Sequence, residues 1–164
     1  MGSDETDPIS LFYPGIQRSA ERGFTIWDGC TLTWDAGNGE MLHVIHHASS
    51  QDGHHWHRTG AAVPFGLGCA QAFSRPTVVQ NKEGDFEMWF SYRSGAGEKY
   101  RIGYAESENG ITWKLANDKA GITVSDSGWD SDMIEYPFVF DHEGTRYMLY
   151  NGNGYGKTGF GLAA

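Results

Sequence analysis

One carboxyl group stands where proton transfer could be arranged. Glu135 lies two positions before Pro137, at the head of the apolar run Tyr136-Pro137-Phe138-Val139-Phe140. If the fold encloses it there, such a carboxyl would have its pKa raised and would be able to give up a proton or hydrogen-bond a ligand. Asp130 and Asp132 precede the same run. Asp132 is the candidate for a second carboxylate, and capping of loop amides is the other role open to both. Arg75, just before Pro76, can hold a hydroxyl or carboxylate in its fork of N–H donors. An ion pair with Glu135 is its structural alternative. Asn151 lies in a glycine-rich stretch that lets backbone approach a ligand closely. No helix start or Lys-Ser/Thr pattern follows that stretch, so it is not a phosphate cradle. The histidines cluster as His43, His46-His47 and His54-His55 with His57. On a strand His46 and His47 point to opposite faces, which prevents simple chelation, so no metal and no cofactor is expected. His47 alone is retained as a candidate ligand contact on the inner face.

The elements that must carry these residues are strands. From Gly128 onward an apolar run, a charged turn at His142-Glu143-Gly144 and the returning Arg146-Tyr147-Met148-Leu149-Tyr150 describe an antiparallel hairpin. The same grammar occurs upstream, where Tyr13-Pro14 and Arg75-Pro76 each open a segment followed by an aromatic strand, Phe24 to Trp27 and Phe86 to Phe90. Two turns match as well: Ser50-Gln51-Asp52-Gly53 leads to Trp56, and Ser107-Glu108-Asn109-Gly110 leads to Trp113. A period of about sixty residues with several short strands per unit predicts sheets that stack on one another, because none covers both of its own faces. The expected fold is all-β, a partial β-propeller of about three four-stranded antiparallel blades with the last incomplete. An antiparallel sandwich is the alternative. The expected units are residues 12–60, 73–118 and 133–164 of a domain over 12–164, preceded by a polar arm over 1–11. About three blades cannot close a ring, and a twofold homodimer of six is the simplest closed solution.

Bulk properties narrow the partners. The 164 residues are 39% hydrophobic, enough for one packed domain. A net charge of −9 argues against nucleic acid and against an anionic membrane surface. No apolar run reaches membrane-spanning length. Cys30 and Cys69 are the two cysteines, and a chain of this size with no disulfide pattern is expected to keep both reduced. Residues 1–8 are acidic and polar, with no basic segment leading into an apolar one, so a cytoplasmic location is expected.

Several motifs together resemble the five-bladed propeller glycosidase superfamily of arabinanases, β-xylosidases and invertases. They are Tyr100-Arg101-Ile102-Gly103-Tyr104-Ala105-Glu106-Ser107, Asn109-Gly110-Ile111-Thr112-Trp113, Gly128-Trp129-Asp130-Ser131 and Tyr147-Met148-Leu149-Tyr150-Asn151-Gly152. The resemblance runs from Tyr13 onward and is to the C-terminal half of uncharacterised invertase-like proteins about twice this length. It implies a carbohydrate ligand in an axial or inter-subunit cleft, with Glu135 at the place of the general acid. Glycoside hydrolysis needs a second carboxylate facing the acid. The superfamily usually places an Asp just before the Pro of another blade, where this chain has Tyr13 and Arg75. Asp132 or another chain would have to supply it. Arg75, Tyr136, His47 and Asn151 become the candidate substrate contacts, with Tyr136 suited to stacking on a sugar face. A non-catalytic oligomeric binding protein that keeps the scaffold is the competing reading.

Overall fold

The computed structural model describes residues 10–19, 23–35, 41–66, 72–93 and 98–164. The first sheet contains β1 (Ser10–Ser19), β2 (Gly23–Thr33), β3 (Leu42–Ser50) and β4 (His57–Ala61), each antiparallel to the strand before it. The second repeats that meander with β5 (Ala72–Gln80), β6 (Phe86–Arg93), β7 (Arg101–Ser107) and the short β8 (Lys114–Leu115). A single parallel bridge, His43 to Ala72, links the two. The third sheet contains β9 (Glu135–His142), β10 (Thr145–Asn151) and β11 (Phe160–Ala163), in the order β11-β10-β9. The chain is therefore a partial propeller, nearly all β. Ser10 and Leu11 of the expected arm already belong to β1, and residues 1–9 lie outside the described residues, as does Cys69. Cys30 is a buried free thiol.

Strand β6 shows why the sheets stack. Phe86, Met88 and Phe90 point one way, into a core shared with Trp27 and Ile45 of the first sheet and with Ala62 and Val63 of the connection. Trp89 points the other way, into a second core with Ile134, Val139 and Met148 of the third blade. A strand apolar on both faces is stable only between two other layers. Hydrogen bonds cross the same seams. Trp27 donates its indole N–H to the carbonyl of Gly110 at 2.8 Å, Gln17 donates to that of Val78 at 2.7 Å, and Thr77 donates to that of Pro137 at 2.7 Å.

The two matching turns are built from the same bonds. The amides of Gly53 and Gly110 donate to Ser50 Oγ and Ser107 Oγ, both at 2.8 Å. The next two amides donate to Asp52 Oδ1 and to Asn109 Oδ1. Each turn closes with the following indole on the glycine carbonyl, Trp56 at 3.2 Å and Trp113 at 3.0 Å. Their environments differ: Trp113 is 3% exposed within the first core, whereas Trp56 is 38% exposed. Gly110 has a φ of 74° and approaches the Trp27 ring so closely that a Cβ there would lie 3.2 Å from it.

Candidate functional site

The three proline-led segments share one backbone device. In β1 the pairing with β2 shifts between Phe12 and Gly15, in β5 the pairing with β6 shifts between Ser74 and Thr77, and β9 pairs Glu135 with Asn151 but Phe138 with Leu149. In each case two residues, the second a proline, stand opposite one, which is a β-bulge. Proline cannot donate to the ladder and disfavours the right-handed helical region for the residue before it. Arg75 and Tyr136 do not take the extended backbone that a following proline favours either, but the left-handed region, with φ of 50° and 56°. Such backbone costs on the order of 1–3 kcal/mol per residue and persists only where its surroundings enforce it. At Tyr136 part of that enforcement is visible, because its amide donates to the buried Ser91 Oγ at 2.7 Å.

The bulges bring together Glu135, Tyr136 and Arg75. Glu135 is completely buried, and neither carboxylate oxygen has a hydrogen-bond partner among the described residues. Burial raises its pKa to about 7, and Arg75 works against that shift by favouring the charged form. The Arg75 guanidinium lies 3.8 Å from the centre of the Tyr136 ring, a cation–π contact that holds both side chains beside the carboxyl. Burial first, and the charge of Glu135 next, raise the Tyr136 hydroxyl to about 12. Tyr155 approaches both Tyr136 and Tyr100, with ring centres 6.5 and 6.1 Å apart, and Arg93 lies 5.6 Å over Tyr100. Arg93, Lys99, Tyr100, Asp132 and Tyr155 line an adjoining cleft of about 290 Å³.

The other candidates are placed as follows. Asp132 is half exposed, 3.5 Å from Lys99 Nζ, and its amide donates to Asn153 Oδ1 at 2.8 Å. Asp130 is buried and accepts the Tyr150 hydroxyl at 3.0 Å. Asn151 pairs with Glu135 across the β9–β10 ladder, and its side-chain amide donates to the Tyr155 carbonyl at 3.4 Å. His47 is not brought to this cluster and lines a separate cavity between the first two blades. Tyr13 lies in the first bulge, but its side chain is outside what is described. Among the described residues no group of three or more His, Cys, Asp or Glu could hold a metal ion. Sequence reasoning missed Ser91, Arg93 and Tyr100. The one available signal was that Ser91 continues the same aromatic strand as Phe86 to Phe90.

No family model matches the chain. Two uncharacterized proteins of Mycobacterium tuberculosis, from strains CDC 1551 / Oshkosh and ATCC 25618 / H37Rv, are each 47% identical over 161 residues, which is 98% of this chain and 52% of theirs. The chain thus spans about half the length of the curated relatives it matches. Among solved structures, a family 117 glycoside hydrolase produced by the marine bacterium Zobellia galactanivorans matches with a TM-score of 0.76 at 16% identity, over 99% of this chain and 53% of that one. A further glycoside hydrolase matches with a TM-score of 0.75 at 12% identity, over 98% and 47%. RS223 β-xylosidase matches with a TM-score of 0.63 at 17% identity, over 93% and 46%. Identities this low speak for architecture alone, and in architecture this chain is about half of a glycosidase-like β-propeller.

Proposed function

We propose that the chain is a glycosidase-like propeller protein that binds carbohydrate at the head of β9, with Glu135 as the proton donor of a hydrolytic site. The observation that carries this reading is the Glu135 carboxyl itself, fully buried and without a hydrogen-bond partner among the described residues. With a pKa of about 7 it keeps a proton near neutral pH, as a general acid for a leaving-group oxygen must. Arg75 orients the substrate, Tyr136 offers an aromatic face, and Asn151 offers its amide from the neighbouring strand. The second carboxylate comes from Asp132 or from another chain.

Measuring binding and hydrolysis of arabino-, xylo- and fructo-oligosaccharides by the protein and its Glu135→Gln variant tests the proposal. Hydrolysis should fall by at least about a hundredfold in the variant while the melting transition survives. Retained hydrolysis would remove Glu135 from the mechanism.

A non-catalytic binding protein is the second reading, and one observation favours it. Among the described residues Arg75 is the one charged group that acts on Glu135, and no second carboxylate does. Binding that persists in Glu135→Gln, with no hydrolysis by either protein, would select this reading.

In both readings a second copy of the chain covers the outer face of the third blade. Phe138, Phe160 and Leu162 stand there 58%, 75% and 59% exposed, and adjacent exposed apolar side chains mark an interaction surface. Light scattering at micromolar concentration should give the mass of a dimer, and a stable monomer would count against the assembly.

A further inference from the structure

A second cavity, of about 510 Å³, lies between the first two blades near the far ends of their inner strands from the proline bulges. Its described lining includes Gln17, Thr25, Trp27, His47, Ser49 and Gln80. His47 is only 4% exposed, yet it borders this space. Its Nδ1 lies 2.6 Å from Thr59 Oγ1, and that hydroxyl in turn donates to the His47 carbonyl at 3.3 Å. With the hydroxyl proton assigned to that carbonyl, the matching tautomer is the one in which Nδ1 carries the ring proton and donates to Thr59 Oγ1. Burial, with His57 nearby, lowers the pKa of His47 and keeps the ring neutral. Nε2 is then an acceptor, and no partner for it occurs among the described residues.

That lone pair selects the ligand. A carboxylate or phosphate would meet it acceptor to acceptor, and an ammonium would find no carboxylate among the described lining residues. A hydroxyl group can donate to Nε2, and Gln17, Thr25, Ser49 and Gln80 add neutral donors and acceptors around it. Phe86 and Ile111 supply apolar wall. The sole cation of the described lining, Arg18, lies 5.2 Å over the Phe24 ring.

We infer that this inter-blade cavity is a binding site for a small neutral polyhydroxylated molecule, a monosaccharide or polyol, with His47 Nε2 accepting one of its hydroxyls. The site is separate from Glu135 and does not depend on the function proposed there.

The test uses the full chain with ¹⁵N-labelled histidine and tryptophan, titrated with glucose, xylose, arabinose, inositol and glycerol, and with glucuronate and glucosamine as charged counterparts. The neutral ligands should shift the His47 ring nitrogens and the Trp27 indole, and His47→Phe should weaken binding by about tenfold, the value of one hydrogen bond. Thr25→Val, at the rim, should weaken it in the same direction if His47→Phe fails to fold. Glu135→Gln should leave it unchanged. A preference for glucuronate or glucosamine would overturn the ligand class. The site itself is overturned if no ligand shifts these signals, if both His47→Phe and Thr25→Val bind normally, or if Glu135→Gln loses the response equally.

Discussion

Two glutamates, each associated with an arginine and an aromatic ring, differ in what surrounds their oxygens. Glu87 on β6 is fully engaged: Arg146 Nη1 donates to Oε2, and the Tyr104 hydroxyl donates to Oε1 at 2.8 Å. Arg146 also forks onto Asp141 at 2.8 and 3.1 Å, and it lies 5.3 Å over the Trp89 ring, so the network clamps the second blade to the third. Glu135 on β9 is more deeply buried, and its arginine stacks on Tyr136 and acts on the carboxyl through its charge. A buried charge needs hydrogen-bonded partners to be tolerated, and a site that withholds them keeps its carboxyl neutral. The first arrangement is what stability requires, and the second is what a proton donor requires.

The largest effect separating them should come from Glu135→Gln as a function of pH. Below pH 4.5, the ordinary value of the group, folded and unfolded chains both hold the proton, and Glu135 adds no pH dependence. As the pH rises from there towards 7, the unfolded chain releases it while the folded one keeps it, so stability falls; above about 7 the loss is complete. The difference of about 2.5 pKa units corresponds to roughly 3 kcal/mol. Urea unfolding from pH 4 to pH 8 should therefore show the variant matching the parent at low pH and exceeding it by about 2–3 kcal/mol at pH 8. Parallel curves across that range would show that the carboxyl is not held neutral.

Arg146→Ala is the converse. It leaves Glu87 without its cation and removes the contact with Trp89, and it should cost about 2 kcal/mol, less than a fully buried pair because the arginine is 32% exposed. Combined with Glu135→Gln, the two effects should add, since the groups share no partner among the contacts described. Strong coupling between them would mean that the clamp and the proton-donor site are one unit.

The sequence made the repeated segments legible and left their bulges and the contents of those bulges hidden. Three X-Pro pairs at matched places marked like segments, and the serine-led turns revealed the tight loops, because both depend on short-range chemistry; that each pair stands as a bulge inside its strand shows only in the pairing. The neighbours of Glu135 depend on which blade faces which. Ser91 holds the Tyr136 amide from β6, Arg93 and Tyr100 line the adjoining cleft, and nothing local to them encodes a place beside β9. His47 shows the same limit from the other side. Strand alternation placed His46 and His47 on opposite faces, but only the stacking of the blades decides which cavity His47 borders.

Ser91→Ala tests how the strained turn is held. The Tyr136 amide would lose its acceptor inside the protein, at a cost of about 1–2 kcal/mol. Relaxation of Tyr136 should also let water reach Glu135, and NMR titration of that carboxyl should follow its pKa downward from about 7. An unchanged pKa in a destabilised variant would assign Ser91 to folding alone.

Asp132→Asn should have the smallest effect on stability. The Lys99 pair it breaks is 3.5 Å long, with both side chains more than half exposed, and exposed pairs of this kind change stability by about 1 kcal/mol or less. Its loop contact to Asn153 runs through the backbone amide, which the substitution leaves in place. The variant is therefore a nearly pure probe of chemistry. If hydrolysis is found in the parent and lost here at unchanged stability, Asp132 is the second carboxylate and the site is complete within this chain. If hydrolysis survives, Glu135 works with a carboxylate from elsewhere, and the contrast with Glu87 becomes one between a finished structural network and half of a catalytic pair.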